Sequence, residues 1–385
     1  MKELSKYLIT EDGKMTKSYV WSFFTRLFHI FLVVTVAFLF LFAEFDNLLS
    51  YHVIIGYTVG VLFLFRIIWG FLDVKYSKFQ DFNFNLYDLK EYMFNIFGSK
   101  KEYIGHNPAS SWAIVAMITL GILSVLSGVF VYGTQEGMGI FSFLNTTIFK
   151  KMEFFEEIHE FFTTAFMIVI FAHIAGVLLE RVLHGPKTLE SMINGYKEVE
   201  AQSLKLTLFQ KLFGVFWIGG SIFFLIYMLS HPTNILIADA NKAVDYQKEH
   251  PLFENECRSC HTLYPPYLLP KASWVKLMDN LENHFGDDAS LEATDTVFIK
   301  DYLVNNAAED STKEAAFKIL KSMKEKDTIA ITKTSYWKRR HQEIDQEIFA
   351  SAEVKAKSNC KACHNNIEQG LLNDKDIKIP DIAKG

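Results

Sequence analysis

Residues 154–184 read FFEEIHEFFTTAFMIVIFAHIAGVLLERVLH, and from Phe161 to Leu179 the only strong polar interruption is His173. An apolar run of that length is what a helix needs to cross a bilayer. Two histidines sit on it, His159 and His173, fourteen residues apart. That spacing is about 21 Å along a helix axis. Fourteen steps of about 100° return to within about 40° of the starting direction, so both imidazoles leave one face. One helix thus offers a ligand near each side of a membrane, both aimed at the same neighbours. A single such histidine is read most simply as a hydrogen bond to an adjacent helix. A same-face pair with partners on other spans points instead to ligation, because ionisable groups inside a membrane are costly and mark function.

The rest of the chain divides around this stretch. It has 385 residues, half of them hydrophobic, and a net charge of −5. Up to about residue 230 long apolar runs alternate with basic loops; beyond it the sequence is rich in Lys, Asp, Glu, Asn and Ala. The division predicts a membrane domain over 1–230, a linker over 231–250 and a soluble domain over 251–385, each large enough for its own core. The acidic net charge, with basic residues flanking apolar runs, excludes a nucleic-acid binder. Spans are expected at Trp21–Ala43, His52–Leu72, Trp112–Tyr132, Phe154–His184 and Leu212–Leu229. The start, MKELSKYLITEDGKMTKSYVWSFFTRLFH, has no short apolar core followed by a small-residue cleavage site, and reads as an uncleaved lead-in.

Basic residues orient the set. Lys2, Lys6, Lys14, Lys17 and Arg26 precede or open the first span; Lys75, Lys78, Lys90, Lys100 and Lys101 follow the second; Arg181, Lys187, Lys197, Lys205 and Lys211 follow the fourth. The loop after the first span has none, and that after the third only Lys150 and Lys151. The positive-inside rule then puts the N-terminus in the cytoplasm and the C-terminal half outside. With that orientation His29 lies towards the cytoplasm and His52 at the outer face. His159 and His173 follow at the outer and inner levels, so the depths match as His52 with His159 and His29 with His173. Two bis-histidine metal centres stacked in a helical bundle follow, and haem is the cofactor that takes two axial imidazoles from facing helices. A di-metal site would need core carboxylates, which the middles of these spans lack. Arg66 is a candidate for a haem propionate or a snorkelling side chain. His106 and His184 fall in loops and read as solvated. Glu156, Glu157 and Glu160 are candidate proton acceptors.

The soluble half carries Cys257-Arg258-Ser259-Cys260-His261 and Cys360-Lys361-Ala362-Cys363-His364, which use all four cysteines and leave none for a disulfide. C-x-x-C-H attaches c-type haem through two thioethers, with the histidine as axial ligand. A zinc site built from both pairs would leave each histidine unexplained at a spacing far beyond that of zinc knuckles. Haem attachment of this kind occurs outside the cytoplasm, in agreement with the charge pattern. For the sixth ligands the other histidines are His231, His250, His284 and His341, with Met278 and Met323 as the alternative. His231 is interfacial beside Pro232, and His284 ends a helix expected from an N-cap at Ser273 to Gly286. The basic run Lys338–Arg340 is a candidate for propionates or plain solvation.

The stretches VWSFFTRLFH, HVIIGYTVGVLFLFRIIWGF and IHEFFTTAFMIVIFAHIAGVLLERVLHG resemble the bacterial cytochrome b(561) family, which includes the membrane cytochrome b subunit of nickel–iron hydrogenases. The resemblance covers roughly residues 18–200. It implies two b-type haems on His29, His52, His159 and His173, with exchange of electrons with the quinone pool. The segment ECRSCHTLYPPYLLPKASWVKLMDNLENHFGDDASL, with WKRRHQEI and NCKACH, resembles the di-haem cytochrome c family over about 250–380. That resemblance implies bis-histidine ligation and fits His284 and His341 as distal ligands, the nearer motif suggesting His284 with the first haem and His341 with the second. The expected fold is all-α, a five-helix transmembrane bundle followed by a mostly helical di-haem domain. The expected protein sits among the lipids of a bacterial inner membrane. It holds two non-covalent b haems and two covalent c haems, with quinone as a further ligand, and passes electrons between the quinone pool and a periplasmic redox protein such as a small c-type cytochrome. The other readings are a cytochrome subunit of a hydrogenase- or reductase-type complex, and a haem-based sensor.

Overall fold

The computed structural model describes residues 17–45, 48–72, 74–95, 103–152, 154–185, 187–199, 201–238, 242–323 and 328–380. Most of the N-terminal lead-in, Lys100, Lys101 and the side chain of His184 lie outside the described residues.

Among the described residues five helices are long and apolar enough to cross a membrane: α1 Phe23–Ala43, α2 Leu49–Phe71, α3 Pro108–Thr134, α4 Phe154–His184 and α5 Leu208–Ser230. Polar caps set two of their starts. The Ser22 hydroxyl accepts from the Thr25 amide, and Thr207 and Gln210 form a reciprocal box at the start of α5. These caps lie just outside the apolar runs, so the helices begin and end up to a few residues from where hydropathy alone places them. α4 has the bounds expected from the sequence.

The chain falls into two compact units, one formed by the described residues of Met1–Val129 and Phe154–Asn234, the other by those of Phe130–Glu153 and Ile235–Gly385. In the first, α1 packs along α2 and α2 along α5. Phe28, Leu62, Phe65, Trp69 and Ile218 make one core, and Ile55, Val59, Phe63, Ile118 and Phe166 another. A two-residue strand, β1 Ser18–Tyr19, pairs antiparallel with β2 Tyr196–Lys197. The Ser18 hydroxyl donates to the carbonyls of Val199 and Ala201 at 2.8 and 2.7 Å. Gly195 makes this closure possible: its φ is +91°, and a Cβ there would stand 2.5 Å from the Tyr19 ring.

In the second unit the connection after α3 is ordered by Gly139, whose amide donates to Ala238 at 2.9 Å, and by Lys150, a buried lysine whose Nζ donates to the Gln135 carbonyl. The remainder is short helices: α6 Pro251–Arg258, α7 Lys271–Met278, α8 Ala293–Asn305, α9 Glu314–Ser322, α10 Ser335–Arg340 and α11 Gln346–Ala350. His250 caps α6 by accepting the Phe253 amide on its Nδ1 at 3.0 Å. One expectation is corrected here. The helix read from Ser273 to Gly286 starts at Lys271, after Pro270, and stops at Met278, with Ser273 buried inside it. Proline fixes its own φ and suits a helix start, which outweighs the capping preference of the serine three residues on.

Candidate haem sites

In the membrane unit His52 projects from the start of α2 and His159 from the first turns of α4, and their ring centroids are 6.5 Å apart at 87°. Each is held from behind. The Nδ1 of His52 is 2.9 Å from the Leu39 carbonyl, which can only accept, so the Nδ1 carries the proton. The Nδ1 of His159 is 3.0 Å from the Ser127 hydroxyl, which already donates to Ser124 at 3.1 Å. The hydroxyl therefore accepts from His159. Both rings keep an unprotonated Nε2, the atom a metal takes. Gly128 clears the place of the second ring, since a Cβ there would lie 2.8 Å from it. His29 on α1 and His173 on α4 come near enough for the charge of one to act on the other.

In the second unit His261, directly after the first C-x-x-C, stacks with His284 at 6.0 Å and 16°. His284 is presented by a tight turn. Its amide donates to Asp287 at 2.7 Å, and Phe285 and Gly286 both take positive φ, +59° and +105°. A phenylalanine in that region is strained, and such strain gathers at functional sites. His364, after the second C-x-x-C, lies 6.1 Å from His341 at 60°. His341 follows the last residue of α10, donates from Nδ1 to the Trp337 carbonyl at 2.8 Å and stacks on the Trp337 ring at 4.3 Å. Burial, with His261 nearby, lowers the pKa of His284; burial lowers those of His341 and His364, the latter helped by His341. These imidazoles stay neutral at neutral pH, as ligands must.

Two imidazoles that share one iron through bonds of about 2 Å have ring centroids about 6 Å apart. Three of the pairs have that separation, so the residues present could each hold a haem iron. Zinc and di-metal cages need more. Among the described residues no group of three or more His, Cys, Asp or Glu side chains gathers to hold a metal. None of the four cysteines is in a disulfide. Met278 and Met323 are 3% and 9% exposed within the apolar cores of their unit, where they serve as packing. Lys338, Arg339 and Arg340 are exposed, and Arg340 reaches both oxygens of Asp374 at 3.1 and 3.0 Å. His231 ends α5 in an exposed position, and Glu156, Glu157 and Glu160 are exposed on α4.

Several residues escaped the sequence reading. Ser127 and Gly128, both inside a span, position His159; small residues next to each other in a span were the available signal. Glu368 ties the two motifs together. It receives Arg258 at 3.0 Å and Lys361 at 3.4 Å, the second residue of each C-x-x-C-H, and accepts the Leu263 amide at 3.2 Å. Tyr264 packs on His261 at 5.0 Å and donates to the Ser358 carbonyl at 2.5 Å, two residues before Cys360. His106 is a correction: it is not solvated. Its ring packs on Trp21 and Phe82 at 4.8 and 4.6 Å, its Nδ1 is buried without a partner, and burial, with Arg66 and Lys197 near, lowers its pKa to about 3.

Residues 20–195 match the family described as prokaryotic cytochrome b561, and residues 253–372 match dihaem cytochrome c. A curated relative, a probable Ni/Fe-hydrogenase B-type cytochrome subunit of Bradyrhizobium diazoefficiens, is 24% identical over 163 residues, 38% of this chain. The match spans 65% of that relative's length. Among solved structures, a diheme cytochrome c of Shewanella baltica OS155 is 35% identical, covering 34% of this chain and 91% of its own, with a TM-score of 0.28. The diheme cytochrome c of Rhodobacter sphaeroides is 37% identical over 34% of this chain and 100% of its own, with a TM-score of 0.30. The chain therefore belongs to the prokaryotic cytochrome b561 family over residues 20–195, which hold the first four of its apolar helices, and to the dihaem cytochrome c family over residues 253–372.

Proposed function

We propose that this membrane electron-transfer cytochrome carries four haems, two of b type and two of c type. We further propose that it passes electrons between the quinone pool and a periplasmic redox protein. The membrane ligands are His52 with His159 and His29 with His173. The covalent haems are attached through Cys257 and Cys260, with His261 and His284 as axial ligands, and through Cys360 and Cys363, with His364 and His341. The observation that carries this reading is the repeated pair of imidazoles at about the separation one iron requires. Haem, when bound, supplies one-electron exchange at its iron, and two protein ligands leave no position for a substrate. The chain's own part is to hold the rings still, through Leu39, Ser127 and Trp337, and to set their spacing.

The reading takes residues 1–230 as the membrane domain of a bacterial inner membrane, 231–250 as a linker and 251–385 as the periplasmic domain. The distribution of Lys and Arg supports this orientation. So does Lys150, one of the two lysines in the loop assigned to the outer face. It is buried against the carbonyl end of α3, where its charge caps the helix.

The test is to purify the full chain, extract with acid–acetone and quantify haem, with two extractable and two covalent haems expected per chain. Quinol should then reduce the extractable haems, and an oxidised small c-type cytochrome should reoxidise the covalent ones. The likeness to a hydrogenase B-type subunit favours a second reading, delivery of electrons by a docked partner. Failure of every quinol, with reduction by a hydrogenase instead, would decide for it.

A further inference from the structure

Arg66 is 6% exposed, although it carries a full charge inside a membrane helix. Its Nη1 is buried and has no hydrogen-bond partner. The guanidinium lies over the rings of Phe79 and Phe82, at 4.9 and 5.6 Å, so it does not reach outward as a snorkelling side chain would. Among the described residues no carboxylate pairs with it. The near titratable neighbour is His106, which shares Phe82 with it and whose own buried Nδ1 is also unpartnered. His106 is neutral, so the local charge is uncompensated. A buried cation in this condition calls for an anion.

The level of Arg66 in the bundle says which anion. His52 and His159 face each other near the starts of α2 and α4. Further along both helices Phe63 meets Phe166 at 6.0 Å. Phe166 is seven residues from His159 and seven from His173, midway between the two levels. Arg66 is one turn beyond Phe63 on the same face of α2, and so lies in the half of the bundle that holds His29 and His173. Resting on the reading of that pair as a haem ligand set, the geometry points to Arg66 as the partner of a carboxylate of that haem, its propionate, with His106 completing the polar side of the contact. A planar guanidinium suits a carboxylate better than an ammonium does, because two parallel N–H groups can meet two oxygens.

The experiment uses the full chain with His52→Ala as the parent, so that only the His29–His173 site takes non-covalent haem. Apoprotein in detergent is titrated with iron protoporphyrin IX and with its dimethyl ester, whose propionates are uncharged. Occupancy is read from low-spin absorbance, with the covalent haems as internal standard. The parent is expected to prefer the free acid by roughly tenfold or more. Arg66→Gln should bind both forms alike, and Arg66→Lys should keep part of the preference. An unchanged preference in the Gln variant, or none in the parent, overturns the assignment. Should the Gln variant bind neither form, the Lys variant decides: retained preference supports the contact, and equal binding refutes it. Low-spin binding that persists after His173→Ala would instead refute the haem site itself, a different outcome from any of these.

Discussion

The two units solve one problem, holding an imidazole opposite another, by opposite means. In the membrane unit the pairing of His52 with His159 comes from long helices, whose periodicity sets height and direction. In the second unit one imidazole of each pair follows a covalent attachment motif, and its opposite comes from a strained turn at His284 or a short helix end at His341. Regular helices allow prediction of both members of a pair. Short irregular segments allow it for one, because the motif marks its own histidine and no repeat marks the other.

The comparison can be broken by removing ligands one at a time. The largest effect is expected in the membrane unit, where no covalent bond retains the cofactor. His159→Ala and His52→Ala should each lose one and the same extractable haem entirely, and His173→Ala and His29→Ala the other. Absorbance spectra of the four purified variants check this, and His159 and His29 variants that lost the same haem would overturn the pairing. Next in size is the contrasting result in the second unit. His284→Ala or His341→Ala should keep full covalent haem while one centre turns high-spin and binds carbon monoxide, which the unaltered reduced protein should not do. Tight carbon monoxide binding by the unaltered protein would move the domain towards sensing.

Two smaller effects sharpen the contrast. Ser127→Ala removes the acceptor behind His159 and should weaken haem retention at that site by about 10–100-fold, read as haem loss to a competing apoprotein. The same spectrum as the unaltered protein at equilibrium, with faster loss, is the expected signature; unchanged loss rates would assign Ser127 to packing alone. Glu368→Gln should leave all haem in place and destabilise the second unit by about 1 kcal/mol, since Arg258 loses its acceptor oxygen and both partly exposed cations lose the negative charge opposite them, while the remaining amide oxygen can still accept from Leu263. It should also alter the separation between the two covalent-haem potentials. A thermal melt and a redox titration measure the two effects, and movement of the first alone would limit Glu368 to a structural role.

Much of this was legible in the residues. α4 carries its own limits, with charged residues and histidines at the ends of one apolar run, and its start and stop fall where the sequence puts them. α3 and α5 extend beyond their expected bounds because Pro108 and the Thr207–Gln210 box lie in polar sequence outside the hydrophobic window. The segment before His284 differs from its sequence pattern because Ser273 looks like a cap while Pro270 holds the real start. His106 reads as a solvated loop residue in the sequence because the rings that bury it, Trp21 and Phe82, are remote along the chain. Nor could any local pattern show Glu368 joining side chains that belong to motifs about a hundred positions apart.

The small closure between β1 and β2 also says something about time. Ser18 bonds to a carbonyl 181 positions later in the chain. A ribosome adding about 5–20 residues per second needs roughly ten to forty seconds to make that stretch. The first helices are therefore synthesised well before the segment that fastens their end exists. Through that interval α1 and α2 can already be threaded into lipid with His29 and His52 in place, while α4, with the opposing histidines, is still arriving. The clasp closes only after α4 is complete, and so acts as a late latch on histidine pairs whose second members have only just been made.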